Sequence, residues 1–281
     1  MLFDTHCHVQ FQAYSDDREE VIQDSLGKGV IMNMVGTQKD TSRAAVELAE
    51  AYNNVYASIG THPIHLHSTH VDEEESSFQS REEDFDDAYY ETLYQSSKKI
   101  IGVGETGLDL FHLPADVSVE QVLEKQRKVF LAHVAFAMRH NLPLVVHCRD
   151  AHDQMVEVLH ALDKKPRGTI HCYTSDWIHA KQYLEMGFYL GFTGVITFPP
   201  KKSNPKLQED LLEVVRNAPL DRILLETDSP YLTPNIRRGK RNEPWLVEEV
   251  AKKIAELRDM PYEEVAAQTT KNAKELFGVV I

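Results

Sequence analysis

The chain has 281 residues, of which 42% are apolar and 26% charged. That is enough apolar material for one large core, and it excludes a disordered chain, a collagen and a coiled coil. The formal charge of −14 repels polyanions on average and argues against a general coat protein for duplex nucleic acid.

Short β-branched or apolar runs alternate with amphipathic stretches along the chain. Strands are predicted at 1–4, 30–37, 55–62, 99–109, 142–150, 168–174, 189–195 and 222–228. Most are continuous apolar runs, the pattern of strands covered on both faces. Apolar residues three and four apart predict helices at 18–28, 41–52, 84–96, 118–140, 152–164, 176–186 and 205–217. Two more follow the last strand, at 243–258 and 261–278, the second opening on Pro261 and stopping at Gly278. Eight strand–helix alternations predict the α/β class, as a single (β/α)8 TIM barrel with extra C-terminal helices. A doubly wound sheet is the competitor, but no Gly-rich phosphate loop follows the first strand. No linker divides the chain, so residues 1–281 are expected to form one domain. Residues 64–98 read as an acidic insertion after the third strand, a solvated loop that ends in a helix. From Asp72 to Glu91 there are ten acids and one base, a net −9 that leaves only −5 for the rest. Whole-chain charge is therefore a poor guide to the field at any one site.

No apolar run approaches the length that spans a bilayer, so no membrane association is expected. The opening residues carry no basic region and no apolar signal core, and no secretory signal is expected. Three cysteines, Cys7, Cys148 and Cys172, are too few and too odd for a disulfide framework. A reducing, cytoplasmic setting is expected, or the nucleus in a eukaryote.

In a parallel barrel, side chains at the carboxyl ends of the strands converge on one mouth. Those positions here hold His6 and His8, His62, Glu105 and Asp109, His147 and Arg149, His171, and Glu226 and Asp228. Imidazoles and carboxylates without thiolates suit Zn, Mn or Mg. Successive strand residues point to opposite faces, so His6 and His8 share a face and Cys7 lies on the other. All three cysteines adjoin these histidines and are read as small buried apolar residues. Arg149 lies two after His147 and shares its face, a candidate contact for an anion. Glu226 lies two before Asp228, one layer deeper, where it orients other groups rather than binding metal. Bland readings stand beside these: His62 precedes Pro63 and suits a turn, His65, His67 and His70 suit a loop surface, and the basic run at 237–241 suits a solvated loop.

The motifs DTHCH at 4–8, GTHP at 60–63, GETGLD at 104–109, PLVVHCRDA at 143–151, HCY at 171–173, GFTG at 191–194, LETDSPYL at 225–232 and RNEP at 241–244 occur in an order that resembles one family nearly end to end. It is that of the TatD-type metal-dependent deoxyribonucleases, within the amidohydrolase-like barrel superfamily. The resemblance implies that His6, His8, Glu105, His147, His171 and Asp228 bind two divalent metal ions, with Glu105 bridging them. It places His62 and Arg149 around the substrate phosphate, and the charge of the 237–241 loop adds Lys240 and Arg241 as further candidate phosphate contacts. Asp228 and Glu105 are the catalytic residues so implied, Asp228 binding metal and taking or orienting the proton of the attacking water. The activity implied is 3′-to-5′ hydrolysis of DNA, preferring single-stranded ends, by a monomer. The long acidic stretch departs from compact bacterial members and looks closer to eukaryotic-type ones. A barrel amidohydrolase or esterase acting on a small molecule is the alternative; many bridge their metals with a modified lysine after the fourth strand, where this chain has Glu105. A non-catalytic scaffold would not need all six ligand positions filled.

Overall fold

The computed structural model describes residues 1–67 and 82–280. The middle of the acidic insertion, 68–81, lies outside the described residues, as does His70. The strands are β1 (Leu2–Cys7), β2 (Val30–Val35), β3 (Val55–Ile59), β4 (Ile100–Asp109), β5 (Leu144–Arg149), β6 (Gly168–Ile170), β7 (Tyr189–Phe192) and β8 (Ile223–Leu225). The helices are α1 (Arg18–Gly27), α2 (Lys39–Ala51), α3 (Asp87–Ser96), α4 (Val119–His140), α5 (His152–Ala161), α6 (Trp177–Glu185), α7 (Lys206–Asn217), α8 (Val247–Arg258) and α9 (Tyr262–Phe277). All eight strands belong to one sheet whose order is the chain order, β1 to β8. The chain beyond β8 rejoins β1: the Asp228 N–H donates to the His6 carbonyl and the His8 N–H to the Ser229 carbonyl, each at 2.8 Å. This is the topology of a (β/α)8 barrel, as expected. The eighth helix of the repeat is α8, and α9 is additional.

The chain packs as two compact units. The first comprises Met1–Val9, Asp17–Asn33 and Thr169–Ile281. Here β1 is buried along its whole length, and α9 packs on β1 and β8, with the Phe3 and Phe277 rings 6.1 Å apart. Asn272 on α9 donates from its amide to the carbonyls of Leu220 and Ile223, both at 2.8 Å, which fixes where β8 begins. Asp4 ties β1 to the end of β8: its carboxylate accepts from the Thr227 N–H at 2.9 Å and the Thr227 hydroxyl at 2.6 Å. Burial raises the Asp4 pKa well above the usual carboxylate value, although the Thr227 hydrogen bonds oppose it.

The second unit comprises Gln10–Asp16 and Met34–Gly168. Its core is β3, β4 and β5 with α2 and α4 packed on them. β4 is buried at all ten positions. α4 starts at a capping box in which Ser118 and Gln121 satisfy each other's backbone N–H, and it stops at Asn141 in the left-handed region. β4 and β5 are parallel, with Gly107 opposite His147 and Asp109 opposite Arg149. Gly107 is required there: its φ is +155, and a Cβ would lie 1.8 Å from the His147 carbonyl oxygen.

Several predicted strands prove shorter. β6 and β8 have three residues each, and just beyond them the backbone is irregular, with φ of 43 at Cys172 and 55 at Asp228. His62 falls outside β3 and caps a 3-10 turn over Pro63–Leu66, in keeping with a residue that precedes proline. α3 starts at Asp87 rather than 84, since the Asp86 carboxylate caps it by accepting from the Tyr89 N–H.

Candidate metal centre

In the first unit, His6 on β1 and His8 just beyond it lie at alternate positions, with their Nε2 atoms 3.1 Å apart. Asp228, held in the left-handed region just beyond β8, aims Oδ1 at three imidazoles. It lies 3.7 Å from His6 Nε2, 3.3 Å from His8 Nε2 and 3.6 Å from His171 Nε2. The His171 ring stacks on His6 with centroids 3.5 Å apart. Burial works against ionising Asp228, but the three histidines outweigh it and hold its pKa below the usual value.

The tautomer of His171 is set from behind. Its Nδ1–H donates to Glu226 Oε2 at 2.9 Å, and the Cys172 N–H donates to the same oxygen at 2.8 Å. That leaves the Nε2 lone pair facing Asp228. Glu226 is fully buried, and its Oε1 has no hydrogen-bond partner among the described residues. Gly191 makes room for it, since a Cβ there would lie 2.0 Å from Glu226 Oε1. Glu226 thus orients a ligand candidate, the part its sequence position suggested.

In the second unit, Glu105 on β4 is the meeting point. Its Oε1 is 2.9 Å from His147 Nδ1 and 3.4 Å from His62 Nε2, and the two rings meet edge to face at 4.2 Å. The Ile64 N–H donates to His62 Nδ1 at 3.1 Å, so the His62 proton sits on Nε2, toward Glu105. Burial, then the neighbouring His147, lowers the His62 pKa to about 4, with Glu105 opposing. His147 is pinned from both sides, its Nε2 being 3.0 Å from Asp109 Oδ2. Burial alone would lower its pKa, but hydrogen bonds and charge from Asp109 and Glu105 raise it to about 9.

Asp109 ends β4 and is a hub whose role sequence reasoning missed. Its Oδ1 accepts the N–H groups of Phe111 and His112, at 2.8 and 2.7 Å. Its Oδ2 accepts His112 Nδ1 at 2.8 Å besides His147 Nε2. Burial opposes its ionisation, yet the hydrogen bonds from His112 and His147 hold its carboxyl far below the usual range. The signal was present in the strand alternation, because 105, 107 and 109 share parity. His112 and Phe111 carried none.

The remaining candidates are not members of these two sets. Arg149 is exposed, its guanidinium 3.8 Å from the centre of the Phe111 ring. Arg241 is bidentate to Asp17, with Nη1 to Oδ1 at 2.8 Å and Nη2 to Oδ2 at 2.5 Å, while Lys240 is exposed. Arg237 and Arg238 lie over Trp245 and Phe198, each 4.9 Å from the ring centre. His65 is buried rather than at the surface, inside the turn that His62 caps. The cysteines are free thiols, Cys7 and Cys148 buried and Cys172 only partly so.

Two sets gather imidazoles and carboxylates: His6, His8 and Asp228 in the first unit, and His62, Glu105 and His147 in the second, where His62 turns an N–H to the set because its Nδ1 is taken by the Ile64 N–H, leaving Glu105 and His147 as the donors. Within each, the ligand atoms lie within 4.8 Å of one another. Coordination bonds of about 2.0–2.6 Å hold ligand atoms roughly 3–5 Å apart. The donors are imidazole nitrogens and carboxylate oxygens, mostly buried, the set borderline and hard divalent ions take.

A family model described as TatD related DNase matches residues 3–278. The chain is 40% identical to the metal-dependent hydrolase YabD of Bacillus subtilis strain 168, over 99% of this chain and 100% of that protein. It is 31% identical to the 3′-5′ ssDNA/RNA exonuclease TatD of Pantoea ananatis, over 99% of this chain and 100% of that one. The crystal structure of the TatD homologue YjjV from Escherichia coli superposes with a TM-score of 0.80 at 29% identity, covering 99% of this chain and 98% of that one.

Proposed function

The chain belongs to the TatD-related DNase family of metal-dependent hydrolases, and from that premise we propose that it cleaves phosphodiester bonds of DNA, acting 3′ to 5′ on single-stranded ends. The observation that carries this reading is the pair of largely buried clusters, His6–His8–Asp228 and Glu105–His147 with His62 beside them. The polarity and the single-strand preference rest on the name of the Pantoea relative. The ligands proposed for two divalent ions are His6, His8, Glu105, His147, His171 and Asp228. Bound Mg, Mn or Zn supplies Lewis acidity and cancels charge on the phosphoryl oxygens.

The chain's own groups do the rest. Asp228, kept ionised by its histidine neighbours, accepts the proton of the attacking water at a carboxylate oxygen. Glu226 and Asp109 hold His171 and His147 with one nitrogen each turned to the site. Arg149, His62, Lys240 and Arg241 hold phosphate. Of these, Arg241 is held in place by Asp17. We further propose a cytoplasmic monomer; three free thiols favour a reducing compartment.

The test is degradation of end-labelled single-stranded and duplex DNA with Mg, Mn or Zn and with chelator. Shortening from the 3′ end is expected with metal and not with chelator. Asp228→Asn and Glu105→Ala should each lower the rate by at least about a hundredfold. Unchanged cleavage by both variants refutes the assignment. Hydrolysis of lactones or amides with no action on DNA transfers it to the small-molecule branch of the superfamily.

A further inference from the structure

We propose that Phe111, His112 and Arg149 form a nucleotide subsite beside His147, in which a nucleobase stacks on Phe111 and the adjoining phosphate is held by Arg149. The inference rests on the phosphodiesterase reading above and adds the group that recognises the base.

Four observations carry it, all within the second unit. Phe111 follows a wholly buried strand, yet 56% of it is exposed. A single exposed phenylalanine is ordinary. This one carries a guanidinium on its ring at 3.8 Å and an imidazole at its edge, with centroids 4.9 Å apart. An aromatic surface next to cationic and N–H groups is the composition that binds single-stranded nucleic acid.

The charge on Arg149 is available. Among the described residues no carboxylate lies within ion-pair distance of it, whereas Arg241 is neutralised by Asp17. His112 is likewise open, its side chain 38% exposed. Its Nδ1–H donates to Asp109, so Nε2 is left as an acceptor for an N–H or O–H group of the nucleotide.

The platform is also rigid. Asp109 accepts the backbone N–H groups of both Phe111 and His112, and the Leu110 N–H donates to the Arg149 carbonyl at 2.9 Å. Finally, the same buried carboxylate grips His147, so one side chain fixes the platform relative to a ligand candidate. A ring held still loses little entropy when a base stacks on it.

The experiment compares wild type, Phe111→Ala and Phe111→Trp on two substrates: an oligothymidylate and the same strand abasic at its 3′-terminal positions. Phe111→Ala should raise KM for the oligothymidylate about tenfold with kcat little changed, the size expected for one lost base–aromatic stack. On the abasic strand it should match wild type, and Phe111→Trp should restore the oligothymidylate KM. Equal KM for wild type and Phe111→Ala on the oligothymidylate overturns the subsite. So does an equal KM increase on both substrates, which marks a merely structural role. Anisotropy of a labelled phosphorothioate oligothymidylate on the metal-loaded protein separates the two layers of inference. Binding weakened by Phe111→Ala without any cleavage of DNA by wild type keeps the subsite and removes the nuclease reading; binding that is unaffected removes the subsite.

Discussion

Replacing Asp109 by asparagine exchanges one oxygen for nitrogen with almost no change of volume, and it should disable His147 as a ligand. Asp109 Oδ2 accepts two ring N–H groups, from His147 at 3.0 Å and His112 at 2.8 Å, while Oδ1 accepts two backbone N–H groups. An asparagine in either rotamer sets its NH2 against two donors. His112 is partly exposed and can turn to water. His147 cannot, and must move its proton to Nδ1, the nitrogen that faces Glu105. Charge-assisted hydrogen bonds contribute about 1.5–3 kcal/mol each, so with partial recovery by His112 the metal-free protein should lose roughly 2–4 kcal/mol. The loss should depend on pH. His147 has its pKa raised to about 9 in the fold, against about 6.5 unfolded. A raised pKa stabilises fully below the unfolded value, and the stabilisation fades as pH rises through the folded one. The ceiling is about 3 kcal/mol. Denaturant unfolding of chelator-treated protein at pH 6 and pH 10 should show that decline in wild type and a flatter profile in Asp109→Asn. Titration with Mn or Zn should show affinity reduced by about 10- to 100-fold, the usual cost of losing the group that orients a ligating histidine. Wild-type metal affinity together with an unaltered pH profile in Asp109→Asn would refute the idea that this carboxylate fixes the His147 tautomer.

Two further outcomes test the supports of the site. His133 is buried and neutral, its Nδ1–H donating to the Val129 carbonyl at 2.8 Å and its Nε2 accepting the Thr61 N–H at 2.9 Å. Burial lowers its pKa to about 4, so its stabilisation is present above about pH 6.5 and is lost as pH falls toward 4, up to about 3 kcal/mol. His133→Gln should be less stable at pH 7 and lose less between pH 7 and 4.5, and an unchanged acid slope in urea unfolding counts against this. Gly191→Ala drives a methyl group to 2.0 Å from Glu226 Oε1. The buried carboxylate can yield only by releasing His171, so about 1–3 kcal/mol of stability should go, along with metal affinity. A variant with the wild-type melting temperature and affinity means that Glu226 has room to move.

Periodicity is a local property, and what depends on it was legible in the sequence. Continuous apolar runs alternating with amphipathic stretches determined the α/β class and the barrel's strand order. Placing His and carboxylate residues at strand ends was enough to nominate His6, His8, His62, Glu105, His147, His171 and Asp228, because parity along a strand decides which face a side chain takes. What only the tertiary structure decided depends on groups distant in sequence. Asp109 is a hub only because β5 brings His147 to its carboxylate, 38 residues on. Glu226 orients His171 across 55 residues, and Arg241 is neutralised by Asp17 across 224. The ends of β6 and β8, the burial of His65 and the exposure of Phe111 follow the same logic. Each is set by which neighbours offer a hydrogen bond or cover a surface, and a one-dimensional pattern does not hold that information.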